Sequence, residues 1–225
     1  ATVYNNLIVN NTTSAAGGGV YCRYDRLVMA NNLICFNHAS NGGGVYVLNQ
    51  GYSTPWLDNS IVRGNTAGTG PQIALEGSTG SIVLVSYSNI EGGHAGMGNI
   101  DADPLFLDPD AGDFRLGAGS PCIDAGSNLV VPIGVDEDIE GLPRFADDPA
   151  TDDTGAGEAP IVDIGPHEFR ACAADFNGDG DVNTIDVLAF LNAWSAGDPD
   201  ADFNGDGSVN TLDVLAFLNA WSAGC

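Results

Sequence analysis

Short apolar runs separated by Asn-rich and Gly-rich turns fill the first ninety residues of the chain. Residues 5–11, 31–37 and 59–65 each hold such a run and end in an Asn, and they recur at a period of 26 to 28 residues. Apolar runs of this length bounded by turn residues predict β-strands. A repeat of this length predicts units that stack on their neighbours and bury a continuous core.

A second predicted strand follows in each repeat, after a Gly-rich corner. Residues 17–22 read GGGVYC, residues 42–47 read GGGVYV, and residues 72–75 hold the same place in the third repeat. Side chains alternate between the two faces of a strand. One face is predicted to carry Val20, Cys22, Val45, Val47, Ile73 and Leu75, and the other Tyr21, Tyr46 and Ala74.

Residues 1–98 resemble the right-handed parallel β-helix proteins, a group of polysaccharide lyases, hydrolases and non-catalytic surface proteins. The resemblance rests on the repeat length, the short strands, the Gly-rich corners and an Asn at one fixed turn. In such a coil Asn11, Asn37 and Asn65 are expected to stack and to hydrogen-bond to the backbone of neighbouring coils. The predicted fold is mainly β: a parallel β-helix solenoid with a closing segment, followed by a small helical module.

Residues 99–171 lose the period and resemble the segment that closes β-helices in bacterial surface proteins. The resemblance lies in three motifs, residues 99–106, 119–126 and 162–169. The segment is expected to cap the solenoid, because an open last coil presents unpaired strand edges. The Asp-rich stretch 147–163 is expected to be a solvated loop, with a cation site as the alternative.

A sharper repeat ends the chain, since residues 175–197 and 202–224 differ at two of 23 aligned positions. Each copy opens with oxygen-bearing side chains at loop positions 1, 3, 5 and 12 and a Gly at position 6, which is the EF-hand spacing. Hard oxygen donors favour calcium over softer metals, so two calcium ions are predicted. The predicted ligands are Asp175, Asn177, Asp179, Asp181 through its carbonyl, Asn183 through water and Asp186, and in the second copy Asp202, Asn204, Asp206, Ser208 through its carbonyl, Asn210 through water and Asp213.

Two departures from the general EF-hand are features of dockerins: Asp at loop position 12, and no α-helix before each loop. Residues 172–225 resemble dockerin type I modules, in a bacterial variety that ends in Gly-Cys. The resemblance implies that the module binds a cohesin-like domain on another protein. The near-identity of the two halves implies two binding orientations related by a half-turn.

The helices predicted at residues 184–194 and 211–221 are apolar around almost their whole circumference. A module of about fifty residues can hardly bury both helices all round, so the surplus is expected to face a partner or the β-helix body. In the first helix one stripe holds Val187, Phe190, Leu191 and Trp194, with Ile185 and Leu188 beside it.

The resemblance also implies which residues contact the partner. They include loop positions 10 and 11, which select the cohesin in cellulosomal dockerins. The implied partner residues are Thr184, Ile185, Leu188, Asn192, Thr211, Leu212, Leu215 and Asn219. Leu191-Asn192 and Leu218-Asn219 stand where cellulosomal dockerins often carry basic residues, which argues against a cellulosomal cohesin. Copies of the same chain are the alternative partner.

The five Cys residues favour an oxidising compartment. Cys172 and Cys225 bracket the paired loops, and the two ends of a two-fold module should lie close together, so a disulfide is predicted between them. Cys22, Cys35 and Cys122 are expected to be buried free thiols. Disulfides persist outside the cytosol, which favours a secreted or extracellular protein, with attachment to the cell surface as a further option.

Charge and hydropathy exclude two classes of partner. The formal net charge of −24 comes from 30 acidic residues against six Arg, and such a field repels phosphate backbones, so nucleic acid is excluded. No apolar run reaches the 18 residues that cross a bilayer. The first residues read as the middle of a repeat, so the chain is interpreted as a mature or excised fragment.

The sequence predicts a protein that is not an enzyme. The chain has no Lys, and its best polar cluster, residues 23–26, is interpreted as a solvated strand end. His38 and His94 lie in Gly- and Asn-rich turns with no partner His or Asp at ligand spacing, and His167 belongs to the closing segment. Two alternatives stay open: a subunit of a self-assembling extracellular fibre or tube, and a fragment of a β-helix enzyme that acts on polysaccharides. Nothing in the sequence supports a polysaccharide ligand.

Overall fold

The computed structural model describes residues 1–23, 26–49, 54–77, 82–179 and 181–223. The chain forms two compact units. The first consists of Ala1–Phe106 and Phe114–Phe169, and the second of Leu107–Asp113 and Arg170–Cys225. The first unit is β-rich, and both α-helices of the described residues belong to the second.

Fifteen strands and two α-helices make up the regular structure of the described residues. The strands are β1 Thr2–Tyr4, β2 Leu7–Val9, β3 Val20–Arg23, β4 Val28–Ala30, β5 Leu33–Cys35, β6 His38–Asn41, β7 Val45–Asn49, β8 Trp56–Asp58, β9 Ile61–Arg63, β10 Thr66–Thr69, β11 Ile73–Gly77, β12 Leu84–Ser86, β13 Asn89–Ile90, β14 Phe106–Asp108 and β15 Asp113–Leu116. The helices are α1 Thr184–Ala196 and α2 Thr211–Ala223, with 3-10 turns at Asn128–Val130 and Pro199–Ala201.

The first thirteen strands form parallel sheets in which each strand pairs with its equivalent in the next repeat. The sheet orders are β1-β4-β8-β12, β2-β5-β9-β13, β3-β7-β11 and β6-β10. In one sheet Leu7 lies opposite Leu33, and Leu33 lies opposite Ile61. The repeat predicted from the sequence is thus the unit of strand pairing, and the mainly β assignment with parallel sheets is confirmed.

The main core of this unit is formed by the apolar faces of these sheets. Its buried residues are Cys22, Met29, Ile34, Val45, Val47, Leu57, Val62, Val83, Val85 and Ile90, with Val20 and Ile73 packed against them. Tyr21 and Tyr46 lie on the opposite face and stack with ring centroids 5.2 Å apart. Leu75 lies opposite Val47, on the face predicted for it, and is 43% exposed because β11 is an edge strand of its sheet.

The predicted Asn stack is present. The Oδ1 atom of Asn37 accepts hydrogen bonds from the backbone N of Asn11 at 3.0 Å and from its Nδ2 at 2.9 Å. Asn65 accepts the same pair of bonds from Asn37, at 2.9 and 3.0 Å. Asn37 also donates to the carbonyl of Ile8 at 2.8 Å, so the ladder satisfies backbone groups at a buried corner.

A second ladder runs parallel to the first, and the sequence analysis did not identify it. The side-chain oxygens of Asn32, Ser60, Ser88 and Asn99 accept hydrogen bonds from the backbone N of Asn6, Asn32, Ser60 and Ser88 in turn, each at 3.1 Å. The change from Asn to Ser partway along the ladder conceals it in the sequence. A side-chain oxygen accepts the hydrogen bond from the backbone N in both residue types.

Residues with positive φ come immediately before the ladder positions. Left-handed backbone is disfavoured for most residues and best tolerated by Gly, Asn and Asp. These corners are Asn5, Asn31, Asn59 and Tyr87 before the second ladder, and Asn10, Phe36 and Gly64 before the first. The Asn-rich turns of the sequence therefore have two separate functions, since one residue turns the chain and the next bonds the neighbouring repeat.

The segment 99–169 covers the outer face of one sheet as well as extending its end. Ile100 forms a parallel bridge with Asn89, which continues the sheet beyond the last repeat. A second core then joins this segment to the outer side of β5 and β9 through Leu33, Cys35, Ile61, Phe114, Leu116, Cys122, Ile123, Ala125 and Ile164. The segment therefore covers the outer side of the sheet as well as its end, and the capping prediction expected only the end to be covered.

A buried ion pair lies within the covering segment. The Arg144 guanidinium donates to the carboxylate of Glu168 at 2.7 Å, and both side chains are fully buried. The same guanidinium donates to the carbonyls of Gly165 and Pro166 and to Oδ1 of Asn5. The stretch 147–163 was predicted to be a solvated loop. It is only partly so, since Asp163 within it is 1% exposed.

Candidate metal-binding loops

Each α-helix of the second unit begins directly after one of the predicted loops. Asn183 caps α1 by accepting from the backbone N of Ile185 at 2.7 Å, and Asp186 completes a capping box. Gly197 ends the helix in the left-handed conformation. Both helices extend two residues beyond their predicted ends, to Ala196 and Ala223. In the described residues no α-helix leads directly into either loop, since α1 ends at Ala196 and the 3-10 turn Pro199–Ala201 lies between it and the second loop.

The first loop draws three carboxylates to one point. Oδ1 of Asp175 accepts from the backbone N of Gly178 at 2.9 Å and of Asp179 at 3.1 Å, which holds the loop tightly around that side chain. One carboxylate oxygen each of Asp175, Asp179 and Asp186 lies within 4.8 Å of the other two. Asn177 lies at the same centre, where its Nδ2 donates to Asp179 at 2.9 Å. Gly180, the predicted turn residue, lies outside the described residues.

Asp186 joins the start and the end of the first loop. Its side chain is fully buried, and its two oxygens accept from the backbone N of Asn177 at 3.2 Å and of Asn183 at 2.7 Å. The carbonyl of Asp181, a predicted ligand, accepts from Nδ2 of Asn183 at 3.2 Å. The predicted positions 1, 3, 5, 7, 9 and 12 are therefore linked in one hydrogen-bonded loop.

The second loop repeats this network. Asp213 is fully buried and accepts from the backbone N of Asn204 at 3.1 Å and of Asn210 at 2.7 Å. The pKa of Asp213 is lowered, mainly by the hydrogen bond from the backbone N of Asn210. The carbonyl of Ser208 accepts from Nδ2 of Asn210 at 2.8 Å, as that of Asp181 does in the first loop.

The second loop differs in the orientation of its first ligand. The two carboxylate oxygens of Asp202 accept from the backbone N of Asp206 at 3.1 Å and of Gly207 at 2.7 Å. Within the part of the chain that the structure describes, the carboxylates of Asp202, Asp206 and Asp213 do not meet the 4.8 Å separation seen in the first loop.

The chemistry of both loops fits a hard divalent cation. Residues 172–225 hold nine Asp and no Lys, Arg, His or Glu, so no basic side chain of this segment balances the carboxylates. Carboxylate and carbonyl oxygens are the ligands that calcium prefers. The donor set, its spacing and the unbalanced charge agree on one class of ligand.

The two halves pack around a small aromatic core. Phe190 and Phe217 are fully buried, and Phe176 and Phe203 from the loops contact them edge to face at 5.3 and 5.4 Å. Each loop is thereby attached to the helix pair through its second residue.

Indole groups connect each helix to the opposite loop. Nε1 of Trp194 donates to the carbonyl of Asn210 at 2.7 Å, and Nε1 of Trp221 donates to the carbonyl of Asn183 at 2.8 Å. The sequence analysis did not predict these reciprocal bonds. The signal available was the Trp at the same place in both repeats.

All eight residues implied as partner contacts are exposed. Ile185 and Leu188 are 56% and 58% exposed, and their equivalents Leu212 and Leu215 are 57% and 58% exposed. The polar members of the set, exposed as well, are Thr184, Asn192, Thr211 and Asn219. Leu191 lies on the predicted buried stripe but is 39% exposed, because Val187, Phe190 and Trp194 already fill the core.

The three His side chains considered for catalysis each lie near a polar group of the same chain. His38 bonds to the hydroxyl of Thr66 at 2.8 Å, and His94 to the carbonyl of Ala95 at 2.8 Å. Nδ1 of His167 lies 3.6 Å from the carboxylate of Glu140. Of the polar cluster 23–26, residues 24–25 lie outside the described residues.

The cysteines divide into two groups. Cys22, Cys35 and Cys122 are buried and form no disulfide among the described residues, as predicted. Burial raises the pKa of Cys35 and that of Cys122 to about 12, so neither thiol ionises at neutral pH. Cys225, the predicted partner of Cys172, lies outside the described residues, and the disulfide stays a prediction.

Comparison with known proteins identifies the second unit. Residues 173–221 match the family model of the dockerin type I domain, which confirms the dockerin resemblance of the C-terminal region. No curated protein and no solved structure matches the chain. Among the described residues, no helix is both long enough and apolar enough to span a membrane.

Proposed function

We propose that this chain is an extracellular, non-catalytic protein whose C-terminal module binds two calcium ions and attaches the protein to a partner. The observation that carries the proposal is the duplicated loop and helix in a segment that matches the dockerin type I domain. Dockerin modules bind calcium and mediate attachment between proteins. A cohesin-like domain is the proposed partner.

Calcium would be held by the oxygen donors of the two loops, and the carboxylates of the first loop already converge. In the first loop the proposed ligands are the side chains of Asp175, Asn177, Asp179 and Asp186 and the carbonyl of Asp181, with Asn183 acting through water. In the second they are Asp202, Asn204, Asp206, Asp213 and the carbonyl of Ser208, with Asn210 acting through water. The ion supplies positive charge where the carboxylates repel one another, so folding of the module and ion binding are coupled.

The proposed partner surface has two equivalent halves. Ile185 and Leu188 expose a pair of large apolar side chains on α1, and Leu212 and Leu215 expose the equivalent pair on α2. Exposed apolar clusters of this kind are typical of protein interaction sites. Because the two pairs have nearly the same surroundings, a partner that recognises one can recognise the other after a half-turn.

The first unit is proposed to be a right-handed parallel β-helix. Parallel pairing between equivalent strands of successive repeats supports this assignment. The two ladders of Asn and Ser also support it, because they bond one repeat to the next. A secreted location and the Cys172–Cys225 disulfide belong to the same proposal.

The test of the calcium proposal uses the full chain. Far-UV circular dichroism and the fluorescence of Trp194 and Trp221 are recorded in chelator and then during titration with calcium. We expect helix content and tryptophan signal to rise with calcium, and Asp175→Ala combined with Asp202→Ala to abolish the rise. Equal spectra in chelator and in calcium would contradict the proposal.

The test of attachment uses immobilised cohesin domains of several types. Calcium-dependent capture is expected for at least one type. Ile185→Asp with Leu188→Asp should leave capture through the other half. The additional changes Leu212→Asp and Leu215→Asp should then remove it. Capture that persists in the fourfold variant, or in chelator, would place the contact elsewhere.

A further inference from the structure

A second group of converging carboxylates lies in the first unit. One carboxylate oxygen each of Asp124, Asp147 and Asp153 lies within 4.8 Å of the other two. Asp147 and Asp153 are exposed, whereas the side chain of Asp124 is fully buried. Two loop residues and one interior residue thus share a single point.

The buried member lacks the partners that a carboxylate needs. Oδ1 of Asp124 is buried and has no hydrogen-bond partner among the described residues. Oδ2 accepts one long hydrogen bond, 3.4 Å, from the backbone N of Asp148. Burying a carboxylate without compensation is strongly unfavourable, so such groups are normally paired with a cation or coordinated to a metal.

No protein cation performs that function in the described residues. Arg144, the basic residue nearest in sequence to the loop, donates to Glu168 and to the carbonyls of Gly165 and Pro166. Burial, together with the charges of Asp153, Asp147 and Asp148, raises the pKa of Asp124 to about 6. The negative potential at this point is therefore unbalanced by side chains.

The backbone around Asp124 is fixed before any ion arrives. Its N–H donates to Oδ1 of Asp163 at 2.8 Å. Its carbonyl accepts from the backbone N of Thr154 at 2.9 Å and of Gly155 at 3.0 Å, directly after Asp153. The hydroxyl of Thr151 donates to the carboxylate of Asp148 at 2.7 Å, which closes the loop between the two exposed carboxylates.

We propose that Asp124, Asp147 and Asp153 bind a calcium ion that joins the loop 147–153 to the interior of the first unit. Two oxygens on one calcium lie at most about 5 Å apart, since calcium–oxygen distances are 2.3 to 2.6 Å. The three oxygens meet this limit. Exposure of Asp147 and Asp153 leaves room for water to complete the six to eight ligands that calcium takes. The site is separate from the dockerin loops and does not depend on them.

Calcium stoichiometry of the full chain tests the proposal. Equilibrium dialysis against calcium at neutral pH is expected to give three ions per chain. Asp147→Asn with Asp153→Asn should reduce the count to two, because both side chains are exposed and Asn conserves their shape. Asp136→Asn with Asp152→Asn is the matched control. It removes the same charge from exposed positions of the first unit, and its count should stay at three.

The same experiment separates this site from the dockerin loops. The variant Asp175→Ala with Asp202→Ala should keep one ion, and adding Asp147→Asn and Asp153→Asn should remove it. If the unmodified chain binds one calcium ion, and only the changes at Asp147 and Asp153 abolish its binding, the result would support this site and contradict the dockerin sites.

Heat denaturation provides a second readout in the Asp175→Ala, Asp202→Ala background. Calcium is expected to raise the midpoint temperature at which the first unit, the β-unit, unfolds. The changes Asp147→Asn and Asp153→Asn should remove that increase. An unchanged ion count in the Asp147→Asn, Asp153→Asn variant, or an unchanged calcium shift, would overturn the proposal.

Discussion

The rings of Phe190 and Phe217 stack with centroids 4.2 Å apart and planes inclined by 7°. They occupy equivalent positions in the two halves of the dockerin-like module, so the approximate two-fold axis passes between them. Each ring also contacts Phe176 and Phe203, the residues that follow the first ligand of each loop. The core of the module thus links both loops through two side chains.

Removing one of these rings should destabilise the whole module. Phe190→Ala is expected to lower its free energy of unfolding by about 3 to 5 kcal/mol, the usual cost of deleting a buried Phe. Leu188→Ala is the control, since Leu188 is 58% exposed and its loss should cost less than about 0.5 kcal/mol. Denaturant titration of the full chain in calcium, followed by tryptophan fluorescence, measures both. Similar costs for the two variants would contradict the described core.

The crossed indole bonds predict that each helix affects the opposite loop. Trp194→Phe removes the hydrogen bond to the carbonyl of Asn210, and Trp221→Phe removes the one to Asn183. A lost hydrogen bond of this kind costs about 1 kcal/mol, so the calcium affinity of the opposite loop should fall roughly fivefold. Competition with a chromophoric chelator measures the change.

Loop assignment in the indole experiment comes from combining variants. Trp194→Phe is added to Asp175→Ala. Because Asp175→Ala disables the first loop, calcium binding by the module then reports on the second loop alone. Trp221→Phe is added to the same background as the control and should have the smaller effect there. Equal losses from both changes would show that the coupling does not follow the crossed bonds.

The Asn ladder predicts a strong dependence of stability on its buried member. Asn37→Ala leaves the backbone N of Asn11 and the carbonyl of Ile8 without their partners. A fully buried unsatisfied group costs about 1 to 3 kcal/mol; because these two groups are only partly buried, a total loss of about 2 to 4 kcal/mol, in the lower part of the summed range, is expected for the first unit. Asn11→Ala, at the exposed end, should cost about 1 kcal/mol or less. Urea unfolding followed by circular dichroism distinguishes the two, and equal losses would count against the ladder.

The buried ion pair predicts non-additive effects. Arg144→Met leaves the Glu168 carboxylate buried without its partner, and such a change costs about 3 to 5 kcal/mol. Adding Glu168→Gln removes the stranded charge and should restore about 1 to 2 kcal/mol of that loss. Glu140→Gln, at an exposed carboxylate, is the control and should change the free energy of unfolding by less than about 0.5 kcal/mol. Additive losses in the double variant would exclude the coupling.

Features that repeat with the same residue at a fixed spacing could be predicted from the sequence. Asn11, Asn37 and Asn65 are identical in three repeats, and the ladder they form was expected for that reason. The ladder that passes through Asn32 and Ser60 was missed, because a change of residue type hides a position whose hydrogen-bonding function is constant.

Contacts within the non-repeating segment could not be predicted. Arg144 and Glu168 lie 24 residues apart with no period to relate them. Asp124 reaches Asp147 and Asp153 only through the fold of the loop between them. The loop ligands could be predicted because a metal site formed by consecutive residues is encoded by local spacing alone, whereas the proposed site at Asp124 is brought together by tertiary structure.

The hydrogen bonds that join the β-repeats run from each repeat to the next, as the bonds from Asn37 to Asn65 and from Asn32 to Ser60 illustrate. A gene duplication that copied one whole repeat, such as residues 31–58, would recreate every one of these bonds at the new junction. Each insertion would lengthen the β-unit by one strand spacing, about 4.8 Å. The length of the β-unit can therefore change in evolution by whole repeats, without any change to the proposed calcium loops.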